Sequence, residues 1–260
     1  MWHDVKLLNN TANALFGLVL LALLASGVWW LIQRPMFTLK LISVEGADSV
    51  VLRHVNALTI RDAALPKISG NFFTTNLDTV RTAFETVPWV RKASVQREWP
   101  NRLIVTLEEH TPLGAWGEDG RLISVKGDVF TANLAEAEED AELIAFSGPE
   151  GSEKEVLARY HDFKSWFVKI SLAPEVVQYS SRYAWSLKLN NGMRVELGRV
   201  QDETTLKQRV DKLMAVYPQL VASLQDSIES VDMRYPNGLA LKSSNSAIGL
   251  KKQTKASGKT

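Results

Sequence analysis

From Ala14 to Ile32 nineteen residues pass without a charge, rich in Leu and Val and closing on Trp29-Trp30. At about 1.5 Å per residue a helix over this run is about 28 Å long, close to the ~30 Å of bilayer hydrocarbon. The paired Trp sit where interfacial aromatics rest, and Arg34-Pro35 ends the helix. No second run of this kind follows. The chain therefore reads as anchored once, with 1–11 a short head, 12–33 a transmembrane helix, and nearly all its mass on one side. Lys6 before the helix against Arg34 and Lys40 after it is a weak orientation bias, so the short head is what favours a cytoplasmic N-terminus. Ala25 and Gly27 are spaced like a signal-peptide cleavage site. The apolar run, however, exceeds the ~15 residues of a usual signal core, and bulky Val28-Trp29-Trp30 follow, so the anchor is expected to be retained.

The chain has no cysteine, which removes disulfides, thiolate chemistry and Cys-type zinc sites together. Setting aside the five lysines of residues 242–260 leaves 25 basic groups against 29 acidic ones, so the folded part carries no net basic charge for nucleic acid. The 242–260 stretch itself, rich in Ser, Lys and Gly, buries too little to order and reads as a disordered basic tail.

After the anchor, 37–45 alternates, with Phe37, Leu39 and Leu41 on one face, and reads as a strand ended by Gly46. Residues 49–64 are compatible with a helix carrying Val50, Val51, Val55 and Leu58. A second helix is capped by Asn76 and places Leu77, Val80, Phe84 and Val87 on one face before Pro88. Residues 90–99 and 102–108 then form two strands around Pro100-Asn101. Trp89 and Trp99 read as packing residues. The expected order over 37–110 is strand, helix, helix, strand, strand.

From 112 to 241 the pattern is mostly β. Short strands fall around Gly117, Gly120 and Gly127, and 136–142 reads as an acidic loop. Val156 to Ile170 places Leu157, Tyr160, Phe163, Phe167 and Ile170 at core-facing helical spacing. The hairpin 184–198 is more sharply determined. For Trp185, Leu187 and Leu189 to meet the same core as Met193, Val195 and Leu197, Leu189 must oppose Met193. That leaves the loop Asn190-Asn191-Gly192 and sets Lys188 against Arg194. A helix capped near Asp202 follows, stopped by Pro218. The last strands are expected at 228–235 and 239–241, joined by Pro236-Asn237-Gly238.

Val87-Pro-Trp-Val90, Val95 to Pro100 (Val-Gln-Arg-Glu-Trp-Pro) and Glu108 to Trp116 together resemble a POTRA domain and its exit in the FtsQ/DivIB family of bacterial cell-division proteins. The stretches 189–199 (Leu-Asn-Asn-Gly-Met-Arg-Val-Glu-Leu-Gly-Arg) and 231–238 (Val-Asp-Met-Arg-Tyr-Pro-Asn-Gly) are similar to the same family's β domain. The likeness lapses over 131–155 and the tail. The implied fold is α+β: a single N-terminal transmembrane helix, a POTRA domain over 37–110, and a mixed β domain with flanking helices over 112–241.

No nucleophile elbow, G-x-G-x-x-G or paired-ligand histidine spacing is present, so no catalytic, cofactor-binding or metal residue is assigned. Glu108 and Glu109, neighbours on a strand, point to opposite faces. The reading is a non-enzymatic scaffold. The resemblance implies an inner-membrane protein of the divisome with its bulk in the periplasm, its β domain holding the FtsB–FtsL pair and its POTRA domain concerned with recruitment. The alternatives are a POTRA-containing factor of outer-membrane protein assembly and a periplasmic cell-wall hydrolase. Carried over, the partner site is Arg199, Tyr235, Asn237, Gly238, Leu239, Ala240 and Leu241. A final strand at 239–241 would have an uncovered side, and a Pro at Ala240 would remove an edge N–H if that N–H points outward.

Overall fold

The computed structural model describes residues 5–202, 204–224, 228–235 and 238–243. The chain divides after His110 into two compact units.

The first unit opens with helix α1, Val5–Ile32. Within it Leu8–Ile32 is long and apolar enough to cross a membrane, the one such helix among the described residues, and no residue of it is buried by protein. A surface of exposed Leu, Val and Trp over that length fits lipid rather than water as solvent. Strand β1, Leu41–Gly46, starts later than the alternation from Phe37 predicts. Pro35–Phe37 forms a single 3-10 turn, and the Phe37 carbonyl accepts the Phe72 amide at 2.9 Å.

Helix α2 is only Ala57–Ala63, not 49–64. The Glu109 carboxylate accepts the backbone N–H groups of Arg53, His54 and Val55 at 2.9, 3.0 and 2.7 Å, holding that segment out of helix. Asn56 then caps α2 reciprocally with Thr59. Helix α3, Leu77–Glu85, begins at Asn76 as its sequence predicts, and buries Val80, Ala83 and Phe84. Strands β2 (Val90–Glu98) and β3 (Arg102–Glu109) complete a three-stranded sheet in the order β1-β3-β2. β1 runs parallel to β3 and β2 antiparallel to it. Leu103, Val105 and Leu107, alternating along β3, are fully buried. Of the two tryptophans expected to pack, Trp89 does so, but Trp99 is 74% exposed at the β2–β3 turn.

The second unit is one nine-stranded mixed sheet. Its strands in chain order are β4 (Pro112–Trp116), β5 (Arg121–Ser124), β6 (Val129–Phe130), β7 (Ile144–Ser147), β8 (Pro174–Tyr179), β9 (Ala184–Leu189), β10 (Arg194–Arg199), β11 (Ile228–Asp232) and β12 (Ala240–Ser243). Across the sheet the order is β12-β11-β10-β9-β8-β7-β4-β5-β6. Helices α4 (Leu134–Asp140), α5 (Glu153–Phe167) and α6 (Thr205–Leu224) accompany it. α5 lays Val156, Leu157, Tyr160, Phe163 and Phe167 into the core, where they meet Trp185, Leu187, Leu189, Met193, Val195 and Leu197 from the hairpin. The α+β architecture expected from the sequence is the one observed.

The hairpin follows its predicted register. The Leu189 amide donates to the Met193 carbonyl at 2.9 Å, Lys188 pairs with Arg194, and Gly192 takes the left-handed φ of +82°. Glu175 on β8 reaches Lys188 at 3.6 Å and offsets its repulsion from Arg194.

Three expectations fail here. The acidic 136–142 stretch is largely helical, because Asn133 caps α4 and Ala137 gives it a buried contact. α6 passes through Pro218 instead of stopping there. Tyr217 and Leu220 both pack on the core, which outweighs one missing hydrogen bond. Strand β7 is not expected at all.

β7 rests against Gly114 on β4, where a Cβ would come within 2.0 Å of the Ile144 carbonyl oxygen and 2.7 Å of the Phe146 ring. Gly114→Ala is therefore expected to force β4 and β7 apart at a cost of about 2 kcal/mol or more, read as a lowered thermal midpoint. An unchanged midpoint would mean the strands part without cost.

Candidate partner-binding edge

β12 closes one side of the sheet, with β11 on its inner side and, among the described residues, no strand on its outer side. Pairing runs Asp232 to Ala240, Val231 to Leu241, Ser230 to Lys242 and Ile228 to Ser243. The described strands are placed differently from expectation. β11 ends at Asp232 rather than Tyr235, and β12 runs to Ser243, taking in Lys242 and Ser243 from the expected tail. The connection is therefore 233–239, not three residues. Pro236 and Asn237 lie outside the described residues, as do 244–260.

The direction of the edge amides follows from one hydrogen bond. The Met233 amide donates to the Glu196 carbonyl on β10 at 2.8 Å. Successive residues of a strand direct their backbone groups to opposite sides, so Val231 also faces β10 while Asp232 and Ser230 face β12. Ala240 and Lys242, opposite these two, therefore bond inward, and Leu241 turns its N–H and C=O outward. A Pro at Ala240 would break the sheet's own pairing, so the condition set for it, an outward Ala240 N–H, is not met. The outward group belongs to Leu241.

The other proposed site residues fall around this edge. Tyr235, Gly238 and Ala240 are exposed. Leu239 is half-buried, packed against the core. Arg199 is exposed at the end of β10, paired with Ala184. Its carbonyl accepts from Arg209 Nη1 at 2.8 Å, and the same nitrogen donates to the Leu197 carbonyl.

Here the structure adds residues that sequence reasoning missed. Arg182, Arg209 and Arg234 join the expected Arg199 in lining one groove of about 410 Å³ over the ends of β9 and β10. Arg234 is tied to Asp232, with Nη2 at 2.6 Å and Nε at 2.9 Å from its carboxylate. Hydrogen bonds from the Arg234 side chain hold the Asp232 carboxyl below the usual carboxylate range, against the opposing effect of burial. Among the described residues, neither Arg182 nor Arg199 has a carboxylate partner. With Arg234 offset by Asp232, the remaining guanidinium groups around the concavity still leave it a positive potential that an acidic segment would relieve. No local motif signals this, since the four arginines are spread over 53 positions and only the sheet order and α6 collect them.

As to chemistry, Glu108 pairs with Arg91 at 2.9 Å while Glu109 binds the 53–55 amides, so the two carboxylates serve different partners. Among the described residues no group of three or more His, Asp or Glu is placed to hold a metal ion.

An apolar helix long enough to cross a membrane, a β-α-α-β-β unit and an open mixed sheet with an arginine-lined groove define an α+β chain with one candidate span. Residues 37–110 match the family model described as a POTRA domain, FtsQ-type, and residues 114–234 match that of cell division protein FtsQ/DivIB, C-terminal. The cell division protein FtsQ of Burkholderia pseudomallei is 52% identical over 242 residues, covering 93% of this chain and 94% of that protein. The protein of the same name from Bordetella pertussis is 38% identical over 253 residues, covering 93% and 92%, and that of Neisseria gonorrhoeae 28% over 242 residues, covering 93% and 95%. The chain belongs to the FtsQ/DivIB family of cell-division proteins.

Proposed function

We propose that this chain is a non-enzymatic, single-pass scaffold of the divisome. Residues 1–11 lie in the cytoplasm, 12–33 cross the inner membrane, and the POTRA domain (37–110) and β domain (112–241) work in the periplasm at the division septum. The β domain receives the FtsB–FtsL pair, and the POTRA domain engages other division proteins. The observation that carries this reading is the β12 edge, unpaired on its outer side among the described residues, together with the arginine groove on the same sheet: backbone groups available for an added strand, and positive charge for its acidic side chains. Family membership supports the division role.

Two measurements test it. A reporter active only in the periplasm, fused after Thr260, is expected to be active. The detergent-solubilised full chain is expected to co-purify with FtsB–FtsL. A silent reporter, a mature N-terminus at Val28, or loss of the pair on purification would overturn the corresponding part.

A further inference from the structure

The first unit carries exposed apolar side chains at one end. Phe73 is 47% exposed and Trp99 74%, and Met36 is exposed as well. None fills a core, and all belong to the end of the unit where the chain leaves α1. The ties are specific. Asn71 Nδ2 donates to the carbonyl of Ile32, the last residue of α1, at 3.0 Å. Asn71 Oδ1 accepts from the amides of Phe73 and Thr74, fixing the turn. The Phe73 ring meets Phe37 edge-on at 4.9 Å. Arg97 donates to the carbonyls of Phe72 and Thr75 at 2.7 and 2.6 Å, joining that turn to the end of β2. The Lys40 amide donates to Asn101 at 3.1 Å, bringing the Trp99 turn to the same end.

A helix that spans the bilayer sets the depth of everything tied to its end. The apolar run ends at Ile32, before Gln33 and Arg34, so the Ile32 carbonyl lies close to the hydrocarbon boundary. The headgroup layer beyond is roughly 5–7 Å deep on each side. Phe73, two residues from Asn71, lies at most about 7 Å along the chain from a residue whose side chain is bonded to that carbonyl. This tie keeps the Phe73 ring near the layer. Trp and Phe at this depth place a flat apolar body among the lipid glycerols, and Arg34, stacked 3.4 Å over Trp30, and Lys40 add cations for lipid phosphates.

We propose that this end of the POTRA domain is a membrane-seating surface. Phe73, Met36 and Trp99 rest in the headgroup layer of the leaflet that α1 leaves, and the Asn71–Ile32 bond fixes the angle of the domain to its anchor. The proposal rests on the reading of α1 as a span.

The chain's lack of cysteine allows single nitroxide labels without other changes. The full-length chain is reconstituted in vesicles of phosphatidylethanolamine and phosphatidylglycerol, carrying in turn Phe73→Cys, Trp99→Cys, Leu20→Cys inside α1, or Val51→Cys. Val51 is 81% exposed and follows the opposite end of β1. Collision with oxygen relative to a water-soluble nickel chelate reports depth. The expected ratio is highest at 20, several-fold above that of 51 at both 73 and 99, and lowest at 51. Labels at 73 and 99 as aqueous as 51, with 20 still in the bilayer, would overturn the seating surface and leave the anchor standing. An aqueous label at 20 would overturn both. Since 73 and 99 are exposed positions, the labelled chains are expected to melt as wild type, and the comparison stands on variants that do.

Discussion

Trp89→Ala is expected to unfold or loosen the POTRA domain while leaving the second unit intact. The ring is 3% exposed and stacks on His54 at 4.0 Å, with its plane 18° from the imidazole. Truncating a buried tryptophan costs about 4 kcal/mol, a large share of what a domain of this size has in hand. The position is also held by its surroundings. Trp89 has a left-handed φ of +71°, rare for a bulky residue, and its carbonyl accepts the His110 amide at 2.8 Å. Removing the ring strips one wall from the 53–55 segment that Glu109 gathers. Hydrogen exchange is the measurement of choice, because it reads each unit separately. Amides of β3 are expected to exchange faster by on the order of a thousandfold, those of β9 and β10 at the wild-type rate. Unchanged exchange in β3 would mean the ring stabilises nothing.

What was legible in the sequence was whatever local chemistry settles. The 184–198 hairpin was readable to the register because two apolar faces and one Asn-Gly loop permit a single pairing. The start of α3 was readable because Asn76 caps its own helix. What was not legible depends on partners far along the chain. The helical pattern of 49–64 cannot register that Glu109, more than fifty positions away, claims its amides. Pro218 is a breaker by local rule, and only the core contacts of Tyr217 and Leu220 show why α6 passes it. Trp99 reads as core by composition alone, whereas it tops an exposed turn. A last strand at 239–241 was expected from the sequence, and the strand lies at Ala240–Ser243. The direction of its amides was not legible, because it is set by the β10–β11 register, and the arginine groove assembles only once α6 packs.

The edge variants are expected to separate a backbone contribution from a charge contribution to partner binding. Leu241→Pro removes an outward N–H while leaving in place the inward bonds of Ala240 and Lys242 with Asp232 and Ser230. A partner strand would lose that bond and keep a desolvated carbonyl unmatched, a cost of about 3 kcal/mol, or roughly a hundredfold in Kd for the FtsB–FtsL pair. Leu239→Ala, which trims a half-buried side chain and leaves the edge backbone untouched, is expected to be mild. Arg199→Glu reverses a charge in the groove and is expected to cost about 2 kcal/mol, roughly thirtyfold. Tyr235→Ala removes an exposed ring beside the same edge and is expected to weaken binding without unfolding. Salt distinguishes the two effects: the Arg199→Glu deficit should shrink as ionic strength screens the groove, while the Leu241→Pro deficit should not. Ala240→Pro serves as the contrast, because its amide bonds inward to Asp232. It should speed hydrogen exchange in β11 as well as weaken binding, where Leu241→Pro leaves β11 protected. If folded Leu241→Pro, Tyr235→Ala and Arg199→Glu chains all bound the pair with wild-type affinity, the partner would have to dock on another surface of the second unit or on the POTRA domain.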